Sequence, residues 1–255
     1  MIPEAVHQSL DLFEPITLEE MDRVKLMDRT DMKFNFHVSR LPEILKAVKD
    51  DYRVLEVSGK RMSRYETLYF DTPSYELFRV HHAGKASRYK IRLRKYVESD
   101  LSFFEVKYKN NKGRTIKSRI KRKIDNNHIS DEAEKFLEEK TGMHGENLEA
   151  KLWINYTRIT LVNKHDEERL TIDLDLHVKN EQGFHAFEGL VIVEAKQSKV
   201  TETPFVRQLK NQRIRQFGMS KYCMAVSKLV ADIKKNNFKP GLTTIEKIIN
   251  DPNAA

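Results

Sequence analysis

Residues 88–94 alternate strictly. Arg88, Lys90, Arg92 and Arg94 share one parity, and Tyr89, Ile91 and Leu93 share the other. Successive side chains of a β-strand point to opposite faces, so the segment predicts a strand with cations on one side and an apolar row on the other. The pattern recurs at 103–109, where Glu105, Lys107 and Lys109 alternate with Phe104, Val106 and Tyr108. It recurs again at 115–121, where Lys117, Arg119 and Lys121 alternate with Ile116, Ser118 and Ile120. One such strand reads as a solvated sandwich face. Three in series predict a sheet curled around a basic interior, with helices outside it.

The remaining pattern fills in the elements. Thr17-Leu-Glu-Glu20 predicts a capping box and a helix to about Val24. Residues 29–38 read as a strand with Asp31 and Lys33 on one parity, and Ser39 is expected to cap a helix through about Lys49, with Pro42 in its first turn. Further strands are predicted at 64–71 and 76–82, and Asn110-Asn111-Lys112-Gly113 reads as a hairpin turn. Ser130 to Gly142 reads as a helix, 151–163 and 169–178 as strands, and 184–197 as a hairpin or long strand. From Thr203-Pro204 the chain turns helical, with a break expected at Gly218, a second helix over about 220–235, and a stop at Lys239-Pro-Gly. Strands in the middle and helices at both ends give an α+β class, expected as one domain over 1–255. Its parts are a helical segment at 1–27, a core at 28–200 and C-terminal helices at 203–250.

Composition narrows the partners. The chain has 255 residues, 33% of them charged, and a formal net charge of +8, so an anionic partner is expected. No apolar run approaches the roughly 18 residues of a membrane span. The N-terminus lacks a signal-peptide layout. The single cysteine, Cys223, suits a reducing compartment, and the protein reads as cytoplasmic. Phosphate-loop and dinucleotide-binding glycine motifs are absent, and the nine histidines show no zinc spacing.

Cations brought together inside a curled sheet repel one another unless an anion or interleaved acids answer them. Arginine forks and lysine ammonium groups at alternate strand positions match a run of phosphates. Glu105, Asp173, Asp175, Glu188 and Glu194 stand out as acids among apolar neighbours. For Glu194 a divalent-metal role is expected; for Asp173, Asp175 and Glu188 metal binding and ion pairing both stay open.

With these residues in hand, the chain resembles the vacuolar transporter chaperone (VTC) catalytic domain, the polyphosphate polymerase branch of the triphosphate tunnel metalloenzymes. The matching pieces run in order from about 28 to 226: Lys33 in DMKFNF, YFDT at 69–72, Arg79, IRLRKY at 91–96, FEVKYK at 104–109, and Lys117 with Arg119. NYTR at 155–158, RLTIDLDL at 169–176, VIVEAK at 191–196 and SKYCMA at 220–225 complete the set. The resemblance implies an antiparallel β-tunnel, closed like a barrel, whose basic lumen holds ATP, triphosphate or polyphosphate. It implies that Glu194 holds Mn²⁺ or Mg²⁺ and that Arg92, Arg94, Lys107 and Lys196 serve catalysis. Phosphate would be bound by Lys33, Arg79, Lys90, Lys117, Arg119, Arg158, Arg169 and Lys221, with Tyr156 and Ser220 as hydroxyl donors.

The implied reaction passes the ATP γ-phosphoryl group to a growing chain and releases ADP. A tunnel triphosphatase and a non-catalytic phosphate sensor are the alternatives, and a nucleic-acid duplex is not expected to enter such a lumen. Related tunnel hydrolases begin E-x-E-x-K, whereas this chain reads Arg29-x-Asp31-x-Lys33, which favours the polymerase branch. Gly218 and Met219 stand where the family can carry a further lysine. Eukaryotic relatives couple to membrane-embedded partners, so a membrane link here would run through another protein.

Overall fold

In the computed structural model, residues 1–23, 30–122 and 128–252 are described. The strands are β1 (Glu14–Ile16), β2 (Thr30–His37), β3 (Tyr52–Leu55), β4 (Ser63–Asp71), β5 (Arg88–Tyr96) and β6 (Leu101–Lys109). They continue with β7 (Thr115–Lys121), β8 (Glu149–Asn163), β9 (Glu168–Asn180), β10 (Gly183–Ala186) and β11 (Leu190–Gln197). The helices are α1 (Glu4–Leu10), α2 (Leu18–Arg23), α3 (Leu41–Val48) and α4 (Glu76–His82), followed by α5 (Asp131–Thr141), α6 (Pro204–Asn211), α7 (Lys221–Leu229) and α8 (Lys239–Asn250). Among the described residues no helix is long and apolar enough to cross a membrane.

One mixed-length sheet organises everything. Its path runs β2-β11-β9-β8-β4-β5-β6-β7, antiparallel at each step, with β10 beside β9, β3 beside the end of β8, and β1 parallel to β3. The outer face is apolar. Phe34, Phe36, Val191, Val193, Ile172, Leu170, Ile159 and Leu161 pack against Val6 and Leu10 of α1, Ile44 and Leu45 of α3, and Phe205 and Leu209 of α6. Farther along the same face, Leu68, Phe70, Ile91, Leu93, Phe104 and Val106 pack against Ala133 and Leu137 of α5. Burying each such side chain contributes about 1.5–3 kcal/mol, so the outer helices hold the sheet in its curl.

The opposite parity faces inward. Lys33 pairs in register with Glu194, Glu194 with Thr171, and Arg158 with Asp173. On the far wall Thr67 pairs with Arg94, Arg92 with Glu105, and Glu105 with Arg119. Ser220 at the start of α7 accepts from Lys90 on β5 at 2.9 Å while the adjacent Lys221 donates to Asp173 on β9 at 2.5 Å, so one helix end bridges strands that have β8 and β4 between them on the path. The two walls therefore face each other across a concave interior.

The antiparallel sheet and flanking helices are as expected, but among the described residues hydrogen bonds do not close the sheet into a barrel. Among the described residues the hydrogen-bonded path ends at β2 and at β7. The edge of β2 is covered instead by the segment before α7: the Phe217 amide donates to the Lys33 carbonyl at 2.8 Å, and Asn35 Nδ2 donates to the Phe217 carbonyl at 2.7 Å. At the end where β4 and β9 finish and β8 and β11 begin, the inner face turns apolar. There Tyr69, Ile154, Tyr156, Leu176, Val178 and Ile192 are covered by Tyr222, Met224 and Val226 of α7 and by Ile245 and Ile248 of α8.

Several local expectations change. Residues 76–82 form α4 rather than a strand, because Asp71 accepts from the amides of Leu77 and Phe78 and starts a helix there. Ser39 does not cap α3: His37 Nδ1 accepts its amide, a 3-10 turn over Val38–Arg40 follows, and Pro42 enters the first turn of α3. Helix α6 stops at Asn211, since Arg213 takes φ 58° and the chain then runs beside β2. Helix α7 ends at Leu229, and Lys239-Pro240 opens α8 instead of ending a helix. The predicted end of the first helix at Val24, and Arg29, lie outside the described residues. As expected, Thr17 and Glu20 form a capping box, Ser130 and Gly142 bound α5, and Thr203 caps α6.

Asp71 ties α4 and α7 to β4. Its buried carboxylate accepts from the Thr72, Leu77 and Phe78 amides at 2.8, 2.8 and 2.9 Å and from the Tyr222 hydroxyl at 2.5 Å. Each buried donor left without an acceptor costs about 1–3 kcal/mol. Asp71→Ala is expected to destabilise the fold by roughly 3 kcal/mol or more, read as a lower urea midpoint with an unchanged slope.

Candidate functional site

Three carboxylates, two of them buried and Glu194 half-buried, organise the cations of the inner face. Glu105 on β6 is 0% exposed and meets Arg92 and Lys117 at 2.7 and 2.5 Å, with Arg94 at 4.0 Å. Burial opposes its charge, yet Arg92, Arg94 and Lys117 hold the carboxyl down at about 2. Asp173 on β9 accepts from Arg158 Nε and Nη2 at 2.6 and 2.8 Å and from Lys221 Nζ at 2.5 Å. Against the cost of burial, those two cations likewise lower it to about 2. Glu194 on β11 is gripped by Lys33 Nζ at 2.7 Å and by Lys196. Burial works against its ionisation, but Lys196 and Lys33 keep it well below the usual carboxylate range.

Lys107 and Lys90 gain no such carboxylate. Lys107 makes no hydrogen bond or ion pair with an acid among the described residues; burial first, then Arg92 and Lys90, lowers its ammonium to about 8. Lys117, despite Glu105, is also lowered by burial to about 8. Lys90 donates to the Ser220 hydroxyl at 2.9 Å, which also accepts from the Cys223 amide and so caps α7. Burial lowers the Lys90 ammonium as well. Arg92 Nη1 donates to the Tyr69 hydroxyl at 3.1 Å. Burial would raise that phenol, but Arg92, Arg94 and Lys90 bring it down to about 8.

Most of the sequence-predicted residues come together on this face. Lys33, Lys90, Arg92, Arg94, Lys107, Lys117, Arg119, Arg158, Arg169, Glu194 and Lys196 share the inner parity of their strands, and Ser220 and Lys221 enter from the start of α7. Tyr156 stacks on Tyr65 at 5.1 Å, beneath the ammonium of Lys221 at 5.0 Å. Arg79 does not join them: it is exposed on α4, where its Nε donates to the Ser74 carbonyl at 2.8 Å. Asp173 is an ion-pair residue. Asp175 takes φ 51° at a bulge, where two residues oppose Tyr156, and this turns its side chain toward solvent. Glu188 is exposed in the turn before β11.

Gly218 has a steric reason. A Cβ there would stand 2.6 Å from Lys33 Cδ and 2.7 Å from its Cβ, so the bare backbone lets the Lys33 stem lie flat on its way to Glu194. In the sequence Glu105 stands out only as an acid among apolar neighbours and Tyr69 only as part of YFDT, and no pattern singles out Tyr65 or Thr67. The parity of Glu105 with Lys107 was the available signal; the aromatic positions carried none that separated lumen from core.

A model of the VTC domain matches residues 28–230. This chain belongs to the VTC domain family. No curated protein matches it. Solved structures similar in fold to this VTC domain include a Hippeastrum protein described as a candidate adenylyl cyclase with a dominant triphosphatase activity, at 15% identity and TM-score 0.47, covering 81% of this chain and 98% of that one. A Bacillus halodurans protein named as a candidate adenylate cyclase shows 13% identity and TM-score 0.44, covering 80% of this chain and 100% of the other. A similarly named Vibrio parahaemolyticus protein shows 15% identity and TM-score 0.41, covering 72% and 85%.

Glu105 is the hub of the β5–β7 wall in this VTC domain. Removing one partner of a buried pair costs about 3–5 kcal/mol, because the other charge is stranded. Glu105→Gln is therefore expected to lower the thermal midpoint strongly, and added tripolyphosphate is expected to restore much of the loss by binding the freed cations. Differential scanning calorimetry with and without tripolyphosphate checks both parts.

Proposed function

We propose that this VTC domain is a divalent-metal-dependent polyphosphate polymerase, moving the γ-phosphoryl group of ATP onto a phosphate chain and releasing ADP. The observation that carries the reading is the set Lys90, Arg92 and Lys107. These cations are gathered on one concave face opposite Glu194, with more positive charge than Glu105 alone offsets. Linear phosphate chains supply the missing negative charge, and arginine forks and lysine ammonium groups grip their oxygens.

The donor set allows a metal of a particular kind. No cluster of three His, Cys, Asp or Glu side chains exists among the described residues, and Glu194 already contacts two ammonium groups. Mg²⁺ and Mn²⁺ accept one or two carboxylates and take their other ligands from water and substrate phosphate, so Glu194 fits as the single protein ligand. Bound there, the ion would neutralise charge on the transferring phosphoryl group. The protein's own part is positioning and charge. Arg92, Arg94 and Lys107 would grip equatorial oxygens, Lys196 and Lys33 would orient Glu194, and Lys90 with Ser220 and Lys221 would hold the chain at α7.

A second reading is a tunnel triphosphatase. Gly218, packed flat on Lys33, leaves the wall before α7 without a further cation, which would weaken the hold on a long chain.

Purified protein incubated with ATP and Mn²⁺ is expected to yield ADP and acid-insoluble phosphate chains; orthophosphate without chains selects the triphosphatase. Arg92→Ala should weaken triphosphate binding roughly 10-fold or more, as loss of a charge-assisted bond requires, whereas Glu194→Ala should abolish turnover and spare most of the binding. Isothermal titration and product electrophoresis separate the two.

Binding should also follow pH with a defined sign. Lys107 and Lys117 titrate near 8, and an anion needs their charged forms. Triphosphate affinity is expected to hold up to pH about 7 and to fall past 8 by up to roughly 10-fold per pH unit for each lysine that must regain a proton. Lys107→Met should flatten that slope, measured by titration across the range.

A further inference from the structure

Where β4 begins and β5 ends, the lining of the inner face changes from cations to rings. Tyr65 on β4, Tyr96 on β5 and Phe103 on β6 all carry the inward parity. Tyr65 and Tyr96 lie 4.9 Å apart between ring centres, and Tyr96 meets Phe103 edge-on at 5.9 Å. Tyr65 is committed: it stacks on Tyr156 and lies under the Arg158 guanidinium at 4.9 Å. Tyr96 and Phe103 are not. Both are half-buried, and neither belongs to any of the three apolar clusters of the fold. The Arg119 guanidinium lies 4.4 Å from the centre of the Phe103 ring.

Inward-facing aromatic rings outside a core, next to an arginine plane, have the chemistry of a base-stacking platform. Their position along the strand matters as much. On β5 the inward residues run Tyr96, Arg94, Arg92, Lys90, so the rings precede the cations in a fixed order. By strand rise Arg94 and Arg92 stand about 7 and 13 Å from Tyr96, a span that a nucleoside triphosphate covers from base to terminal phosphate.

We propose that Tyr96, Phe103 and Arg119 form a stacking subsite for the nucleobase of a nucleoside triphosphate whose phosphates run inward to Arg92 and Lys107. The proposal rests on the phosphate-binding reading of the inner face and adds a second, uncharged element of recognition to it. Stacking reads a π-face rather than a hydrogen-bond pattern, so GTP is bound about as well as ATP.

The test is calorimetric titration of ATP, GTP and inorganic tripolyphosphate into wild type, Tyr96→Leu, Phe103→Leu, Tyr96→Phe and Arg92→Ala. Loss of a stacked ring is expected to cost ATP and GTP roughly 10-fold in each Leu variant, leave tripolyphosphate unchanged, and be absent in Tyr96→Phe. Arg92→Ala weakens all three ligands, roughly 10-fold or more. Equal loss of ATP and tripolyphosphate in the Leu variants, or unchanged ATP binding, overturns the subsite while leaving the phosphate reading intact. Failure of wild type to bind tripolyphosphate sinks the phosphate reading and the subsite with it.

Discussion

Like charges crowded on one concave face set the terms for the whole molecule. At 4 Å and an effective dielectric near 20, two unit charges interact by about 4 kcal/mol, so an unanswered row of cations would push the walls apart. The chain answers with few carboxylates, each shared. Glu105 serves Arg92, Arg94 and Lys117; Asp173 serves Arg158 and Lys221; Glu194 serves Lys33 and Lys196. Sharing keeps the interior folded and leaves it positively charged. Full neutralisation would have closed the site to an anion, and none at all would have opened the sheet.

The outer helices supply the opposing force. Apolar residues of the other parity bind the sheet to α1, α3, α5 and α6, so β2, β5, β6, β9 and β11 each carry apolar packing on one face and charged side chains on the other. This division follows from the period of two in a strand, and a register slip of one residue would exchange the faces. Lys107 and Val106 are neighbours in sequence, and they lie on opposite sides of the wall that separates site from core.

That same periodicity explains what was legible in the sequence. The cation rows on β5, β6 and β7 were visible because alternation is a local signal, and so were the caps at Thr17, Ser130 and Thr203. What was not legible depends on contacts distant in sequence. The helical state of 76–82 depends on a carboxylate that also binds Tyr222, and the solvent-facing turn of Asp175 depends on a bulge opposite Tyr156. The early end of α6 depends on its successor segment lying along β2. Arg79 was placed by its order among motifs, and order alone does not say which side of a helix faces the lumen.

The YFDT segment joins stability to the site. Asp71 accepts the Tyr222 hydroxyl, Tyr222 stacks on Tyr69 at 4.9 Å, and Tyr69 accepts from Arg92, which is held by Glu105. Ser220 and Lys221 are delivered to the lumen by the same helix whose far side completes the apolar end core. Helix α7 thus belongs to both the apolar end core and the cation-lined face. An anion bound between α7 and β5 would therefore be linked to the closure of the whole end of the sheet, because whatever binds only the native arrangement adds its binding free energy to folding.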